Sequence, residues 1–539
     1  MNQEPARNTF NAQNFSKYGL DLNVFVSVVT AVLVLGFSIF TIARPNLSAE
    51  FFSTLNMWIN QNFNWLFVFT INAAFVFLIV IGVSRFGRIR LGGYTAKPEY
   101  GDLAWYAMMF SAGIGIGIFF YGVAEPINHL TIPSSLQTGS PFDNFKVMYL
   151  HWGAHAWAVY GLVAIGLSYF SYNKKLPFAM RSLFYPLLKE KIYGVFGDIV
   201  DTVAVLSVLF GLATSLGLGA QQINSGLNYV LGVPISSSVQ VTLIIVITFF
   251  AILSVVSGIS RGIKWLSQAN MVVSGALLLG ITLIGPTANI FSTYFSSLGL
   301  YLKEFFDIGF FTATESSEVA WQGSWTIFYW AWWISWAPFV GTFIARISKG
   351  RTIRDVALGT VVMPTIITTA TMTILGVSGI HVNDLHNNVI TAAVESDIST
   401  SIFEMFHYLT DSPFLQYLLS GIAVVVIVIF FVTSSDSGSI VVSSLTSGGR
   451  ENSPKVQRVF WAMMEGLIAL SVLLIGGEAA LVTIQSAVII LGLPFAVIFI
   501  MIIFSLNKEL KISYRKFRHN EVISLKKSLK KIDDDEEYR

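Results

Sequence analysis

The sequence of 539 residues has no cysteine and few charged residues. Without cysteine there is no disulfide framework, no thiolate nucleophile and no zinc site built on sulfur. Charged residues make up 12% of the chain and hydrophobic residues 54%, a balance outside the range of soluble domains. The net charge of +2, with no basic stripe, gives no support for binding of nucleic acid. We therefore expect an all-α polytopic membrane protein.

Twelve apolar stretches in this chain are long enough to cross a bilayer. They are found at about 22–43, 62–84, 103–121, 147–172, 202–222, 237–258, 265–288, 322–345, 356–379, 414–435, 459–477 and 480–506. Lys and Arg collect in every second loop, whereas the segment 380–413 has neither and carries five acidic residues. Because short cytoplasmic loops are enriched in Lys and Arg, this alternation predicts that both termini are cytoplasmic.

Three further segments complete the predicted organisation. Residues 1–21 form a cytoplasmic N-terminal segment, 22–506 form the membrane domain, and 507–539 form a cytoplasmic charged tail. The tail is basic up to Lys531 and then acidic, which is typical of a positive-inside anchor with a solvated end, although a regulatory role at an anionic leaflet stays open. Residues 289–321 are too polar for a span and predict an amphipathic helix at the membrane surface.

The most unusual stretch is WTIFYWAWWISWAPFVGTFIARISKGRTIR at 325–354, which has five tryptophans in its first twelve residues. An interfacial belt needs only one or two such rings, and these lie at several depths of one span. A quaternary ammonium group cannot donate hydrogen bonds and is held by aromatic ring faces. The stretch is therefore typical either of a cage for such a cation or of packed and lipid-facing tryptophan.

The third span contains Gly113, Gly115 and Gly117, followed by Gly122. Glycines two apart point to different faces, so they do not form the small-residue stripe of a tight helix pair. They predict local unwinding, which frees backbone carbonyls and allows close approach to the chain. No strand precedes them, which excludes a dinucleotide-binding motif. Glu125, at the end of this segment, is interpreted as a structural carboxylate.

The fourth span holds Trp152, Trp157 and Tyr160. On a continuous helix Tyr160 lies about 60° from Trp157 and about 80° from Trp152, so the three rings can share one broad face. His151 and His155 form an i, i+4 pair, but no third metal ligand is evident, so we interpret them as structural.

The tenth span ends in FFVTSSDSGS, where Thr433 and Ser434 either bond back to the preceding turn or serve as oxygen ligands for a small cation.

Ionisable groups within the spans are few, chiefly His151, His155, Asp436 and Glu465. Each is a functional candidate, because a charge in the bilayer is costly to maintain. Their scarcity favours a zwitterionic substrate, which neutralises itself, over a substrate with an uncompensated positive charge.

With these residues in view, the chain resembles the betaine/choline/carnitine transporter family over nearly its whole length. The resemblance rests on GIGIGIFFYGVAEP at 113–126, HWGAHAWAVYG at 151–161, ATSLGLGAQQI at 213–223, FYWAWWISWAPFVGTFIARISKGRTIRD at 328–355 and FFVTSSDSGS at 430–439. It implies a leucine-transporter-like 5+5 inverted repeat, with peripheral helices at 22–84, a first repeat at 102–290 and a second at 322–506. It also implies a homotrimer.

The resemblance further implies roles for individual residues. Trp152, Trp157, Tyr160 and Trp333 would form the aromatic box, with Trp330 and Trp336 along the pathway. Of the remaining tryptophans of the eighth span, we expect Trp325 and Trp332 to serve packing or to lie at the membrane interface. Ile114, Gly115 and Gly117 would line the substrate site. A sodium site would use the backbone of Ser111, Ile114 and Phe430 and the hydroxyls of Thr433 and Ser434.

Other positions separate the subclasses of this family. Sodium-independent exchangers carry an arginine where this chain has Met271, and choline-selective members tend to have aspartate in place of Gly117. Coupled betaine carriers place threonines for a second sodium ion at positions where this chain has Val208 and Leu212. A second ion is therefore either absent or held by other oxygens, such as those of Thr214 or Asn270.

The sequence thus predicts a sodium-coupled symporter for glycine betaine or a similar quaternary-ammonium zwitterion, acting in osmoprotection in the plasma membrane. It predicts no cofactor beyond the coupling ion. The alternatives are proton-coupled choline or carnitine uptake, carnitine/butyrobetaine exchange, and a substrate-gated channel or sensor on the same fold. An enzyme is disfavoured, because no set of nucleophile, base and orienting group is evident.

Overall fold

The computed structural model describes residues 14–113, 115–257, 260–450 and 452–537. It is 83% helix, and these ranges contain no β-strand. Two isolated bridges pair Phe15 with Leu22 and Arg90 with Thr352. The prediction of an all-helical membrane protein is confirmed.

Twenty-one α-helices follow one another in the described ranges, joined by loops and short 3₁₀ or π turns. They are α1 (Val24–Ala43), α2 (Pro45–Val83), α3 (Asp102–Gly113), α4 (Gly117–Tyr121), α5 (Ala124–Asn128), α6 (Asp143–Trp152), α7 (Ala154–Ser168), α8 (Tyr185–Leu188), α9 (Val195–Leu231), α10 (Ser237–Ser257), α11 (Ser260–Ile284), α12 (Thr287–Lys303), α13 (Phe305–Gly309), α14 (Ser316–Gln322), α15 (Phe328–Ile347), α16 (Ile353–Leu385), α17 (Val389–Ser396), α18 (Ser401–Leu409), α19 (Pro413–Thr446), α20 (Lys455–Leu473) and α21 (Gly477–Glu537).

Ten membrane-spanning candidates, judged by length and hydropathy, occur in the described residues. Two of the twelve predicted spans are not among them, although both coincide with helices. The third is divided into α3 and α4, neither of which is long enough alone. The eighth is α15, whose apolar surface comes largely from aromatic rings. The predicted amphipathic segment forms α12, which packs against α6 and α16.

The interruption predicted in the third span is confirmed, because α3 ends at Gly113 and α4 begins only at Gly117. The fourth span is also divided, which the sequence analysis did not predict. Gly153 separates α6 from α7 with φ −94° and ψ −139°, outside the helical region. The ring directions of Trp152 and Tyr160 therefore do not follow from one continuous helix.

The tenth span extends further than predicted. Helix α19 continues to Thr446 and contains the whole TSSDSGS segment, which was expected at the end of the span. The hydroxyl groups allow this continuation because they bond back to carbonyls of the preceding turn, as Thr433 Oγ1 does to Ile429 O at 2.8 Å and Thr446 Oγ1 to Val442 O at 2.9 Å.

Burial separates central from peripheral helices. In the most apolar part of each span, 100% of the residues are buried in the fourth span and 94% in the fifth. In the sixth and in the seventh span, only 22% are buried. Helix α15 packs against α7, α9 and α21, and α9 also packs against α19 and α20. The fourth, fifth and eighth spans thus form the interior of the bundle, and α10 and α11 lie at its periphery.

Candidate functional site

Four predicted box residues lie in contact in the interior. The ring of Trp333 on α15 is 5.1 Å from that of Trp152 and 6.4 Å from that of Tyr160, at interplanar angles of 69° and 86°. Trp157 and Tyr160 are 5.6 Å apart and perpendicular. Trp333 Nε1 donates to the carbonyl of His151 at 2.7 Å, which fixes its ring against the fourth span. The fourth and eighth spans therefore present ring faces and edges to one another.

A small cavity lies among these rings. It holds about 20 Å³, which is room for one water molecule. Its lining consists of Gly113, Gly115, Gly117, Trp152, Ala156, Trp157, Tyr160, Ser215, Trp332, Trp333, Trp336 and Thr368. None of these residues carries a charge. A quaternary ammonium ligand is larger than one water molecule, so its binding requires the rings to move apart from this closed arrangement.

The structure sorts the tryptophans of α15 differently from the sequence. Trp336 lines the cavity, and so does Trp332, which was expected to serve packing. Trp332 stacks on Trp333 with ring centres 5.3 Å apart and planes within 5°. Trp330, expected along the pathway, stacks instead on His155 at 6.0 Å, on another face of the helix. Consecutive positions differ by about 100° around a helix, so neighbouring rings reach different surroundings.

The glycines of the interrupted third span are the places where tryptophan rings approach the backbone. A Cβ atom on Gly117 would lie 2.8 Å from the Trp332 ring and 2.9 Å from the Trp152 ring, and one on Gly115 would lie 3.1 Å from Trp336. A Cβ on Gly113 would overlap the ring of Trp157. Glycine at these positions therefore lets the rings pack directly on the backbone, in addition to permitting the local unwinding of the third span.

Glu125 is the functional neighbour that sequence reasoning underestimated. Its carboxylate is fully buried and is surrounded by donors from the fourth and eighth spans. It accepts from Trp152 Nε1 at 2.6 Å and from the hydroxyl of Tyr329 at 2.7 Å, and it meets His151 Nδ1 at 2.7 Å and His129 Nε2 at 3.3 Å. Glu125 thus orients a box residue. Only the preceding glycine-rich break could have drawn attention to it.

The two histidines of the fourth span have different surroundings, in agreement with structural roles. His155 Nε2 meets Asn72 Oδ1 at 3.2 Å, and its ring stacks on Phe305. His151 instead joins Glu125 and His129 in a group whose ligand atoms all lie within 4.8 Å, which is compatible with a metal. The Glu125 oxygens in this group already take part in four hydrogen bonds, so we interpret the group as a hydrogen-bonded anchor.

The predicted sodium ligands are described only in part. Ile114 lies outside the described residues, and the side chain of Ser111 is not described either. Thr433 and Ser434 are half-buried on α19. The ring of Phe430, on the preceding turn, lies 6.3 Å from that of Phe119 on α4, so this part of α19 is next to the second half of the interrupted span. The sodium site stays a prediction.

These features define a class of protein. A multi-spanning helical membrane protein whose enclosed, uncharged cavity lies beside a discontinuous helix has the architecture of a secondary transporter. No part of the cavity offers a nucleophile with a base.

Comparison with known proteins identifies the family. The profile of the BCCT, betaine/carnitine/choline family transporters, matches residues 25–515, and the chain belongs to this family. It is 42% identical to "Glycine betaine transporter 1" of Vibrio parahaemolyticus, over 93% of this chain and 96% of that protein. It is 38% identical to "Glycine betaine transporter OpuD" of Bacillus subtilis, over 93% and 96%. It is also 38% identical to "Osmo-independent choline transporter BetT1" of Acinetobacter baylyi, over 91% and 94%. These are transporters and not enzymes.

The close approach of rings to glycine leads to a first prediction. Gly117→Ala should weaken binding of a quaternary ammonium ligand at least tenfold, because its Cβ would displace the rings of Trp152 and Trp332. Gly275→Ala is the matched control, since nothing lies within 4 Å of a Cβ at that helical position. Tryptophan fluorescence titration of the purified proteins measures both affinities. Equal affinities in the two variants would contradict this account of the glycine.

A second prediction concerns the hydrogen bond between Glu125 and Trp152. Glu125→Ala and Trp152→Phe should each weaken binding about tenfold, because each removes the hydrogen bond that orients the Trp152 ring. If Glu125 acts through Trp152, the double variant should be little worse than either single one, and the cycle should show non-additivity. Additive losses would mean that Glu125 supports binding by another route. Thermal unfolding of all four proteins controls for loss of fold.

Proposed function

We propose that this protein is a sodium-coupled symporter that imports glycine betaine, or a similar quaternary-ammonium zwitterion, for osmoprotection. The observation that carries the proposal is the uncharged cavity lined by five tryptophans and a tyrosine between the fourth and eighth spans. Ring faces attract a cation that has no hydrogens to donate. A zwitterion brings its own counter-charge, so it needs no carboxylate from the lining. Two relatives, of Vibrio parahaemolyticus and Bacillus subtilis, are named as glycine betaine transporters, which supports this substrate.

Sodium is proposed as the coupling ion on the basis of the hydroxyl pair on α19. Thr433 and Ser434, with the backbone of Ser111, Ile114 and Phe430, are the proposed ligands. The ring contact between Phe430 and Phe119 supports their placement beside the discontinuous span, where coupling ions bind in transporters of this construction. Met271 stands where exchangers of the family carry an arginine, which favours coupling over exchange.

The proposal includes an organisation of the chain. Residues 102–290 and 322–506 would form two inverted repeats, preceded by peripheral helices at 22–84. Segments 1–21 and 507–539 would lie in the cytoplasm, and the protein would assemble as a homotrimer in the plasma membrane. Alternating access would then arise from movement of one group of helices against the other around the fixed cavity.

Uptake into proteoliposomes tests this function. We expect labelled glycine betaine to accumulate above its outside concentration with an inward sodium gradient and not without one. Choline and carnitine, each with sodium or proton gradients, cover the alternative transporters. Equilibration without accumulation under every gradient would instead identify a substrate-gated channel or sensor.

A third prediction tests the box. Trp333→Ala should lower the affinity for glycine betaine by roughly 1 to 2 kcal/mol, because the desolvated cation loses one ring face. Trp333→Phe keeps a ring face and loses only the hydrogen bond to His151, so it should retain more affinity. Trp58→Ala, on the half-exposed surface of α2, is the control. Unchanged affinity in Trp333→Ala would place the cation elsewhere.

A fourth prediction tests the sodium ligands. Thr433→Ala should raise the sodium concentration needed for half-maximal uptake at least tenfold, while substrate affinity at saturating sodium changes less. Thr433→Ser keeps the hydroxyl and should stay close to the wild type. Thr446→Ala removes another back-bonding hydroxyl of the same helix and serves as control. A sodium dependence identical in Thr433→Ala and wild type would remove this residue from the ion site.

A further inference from the structure

Two carboxylates outside the aromatic site are buried at the same depth of neighbouring helices. Asp436 is 1% exposed and Glu465 is fully buried. Asp436 lies ten residues before the end of α19, and Glu465 lies ten residues after the start of α20, the next helix along the chain. At 1.5 Å per residue, each is about 15 Å from the connecting loop. The two carboxylates therefore lie at a similar distance from the loop that joins α19 and α20.

Hydroxyl groups of two helices adjoin the carboxylate of Glu465. Ser435, fully buried on α19, faces Glu465 without meeting hydrogen-bond geometry with it. Thr248 on α10 lies beside the next residue of α20, since its Oγ1 would be 2.8 Å from a Cβ on Gly466. Helices α10, α19 and α20 all contact each other, and each carries one of these oxygen-bearing side chains.

These oxygens lack partners within the part of the chain that the structure describes. Both carboxylate oxygens of Glu465, Oδ1 of Asp436 and the hydroxyls of Ser435 and Thr248 accept or donate no hydrogen bond there. An unpaired buried carboxylate costs several kcal/mol, far more than an unpaired hydroxyl. A group of buried oxygens with no donor directed at them is thus chemically suited to a cation.

The basic side chain nearest along these helices does not neutralise Glu465. Arg458 acts electrostatically on Asp436 but not on Glu465. Its Nε donates to Ser453 Oγ at 3.2 Å, and it lies seven residues before Glu465, about 10 Å along α20. Asp436 therefore has a distant counter-charge, whereas Glu465 has none among the described side chains.

We propose that Glu465 and Asp436, together with the hydroxyls of Ser435 and Thr248, bind a sodium ion between α10, α19 and α20. The site is separate from the one proposed at Thr433 and Ser434. Ser435 points about 160° away from Thr433 around α19 and faces Glu465 on α20. Asp436 lies about 60° from Thr433 and would bound the site on the side nearer to Thr433. The proposal rests on the proposed sodium coupling and extends it, because it assigns a second ion to oxygens that the aromatic site does not use.

Binding of radioactive sodium to the purified full-length protein in lipid nanodiscs tests this site without transport. At fixed pH and without substrate, Glu465→Gln should bind one sodium ion fewer per protomer than wild type, or bind that ion at least tenfold more weakly. Asp436→Asn should show the same change. Glu395→Gln makes the same substitution at an exposed position and should match the wild type. Thr433→Ala should retain the ion held by Glu465.

Two further variants decide the question if removal of a carboxylate prevents folding. Ser435→Ala and Thr248→Val remove one ligand each and leave both charges in place, so each should weaken sodium binding at least threefold. The inference is overturned if the carboxylate variants, or both hydroxyl variants, bind as much sodium as the wild type. The two acids would then be held neutral by protons. The uptake experiment separates this inference from the proposed function. If the wild type accumulates substrate with a sodium gradient but Glu465→Gln binds as much sodium as the wild type, this second site is overturned and the sodium-coupled function stands.

Discussion

The interaction on which the rest of the central structure depends is the packing of aromatic rings from the fourth and eighth spans around an uncharged interior cavity. Such a cavity is suited to a cation that has no charged side chain beside it. Aromatic ring faces can hold such a cation, but only if several of them converge on one point. The rest of the central architecture places them. Gly113 and Gly117 let the rings of Trp157, Trp152 and Trp332 lie directly on the backbone. The break at Gly153 then separates the direction of Trp152 from that of the rings on α7.

The buried acids show how the surroundings decide what a carboxylate does. Glu125 and Glu465 are both fully buried. Glu125 is surrounded by two histidines, an indole N–H and a phenol, so its charge is balanced by hydrogen bonds and it serves as an anchor for Trp152. Among the described residues, Glu465 adjoins the hydroxyl of Ser435 and a second acid, Asp436, and neither of its carboxylate oxygens has a hydrogen-bond donor. The first arrangement immobilises side chains, and the second leaves oxygens available to an ion.

Much of the fold could be predicted from local patterns. Hydropathy located all twelve helical regions, and the glycines located the break in the third span, because both depend on residues close together in the chain. The prediction failed in two places: where the hydroxyl groups of the tenth span are satisfied within their own helix, and where partners distant in the chain surround a carboxylate. Hydroxyl groups suggested that the tenth span ends near Ser435, but their bonds to preceding carbonyls allow α19 to continue to Thr446. Glu125 resembled an ordinary carboxylate at a membrane edge because its donors come from residues 4 to 204 positions away.

By itself the sequence determined which residue types are available: ring faces in the fourth and eighth spans, glycines in the third, and only a few buried charges. It also determined the family, through long motifs of these residues. Only the tertiary structure decided that Trp332 lines the cavity while Trp330 stacks on His155, and that Glu465 lies at the depth of Asp436. The reason is physical: composition and spacing are local, whereas the side a residue faces depends on the rotation and contacts of whole helices.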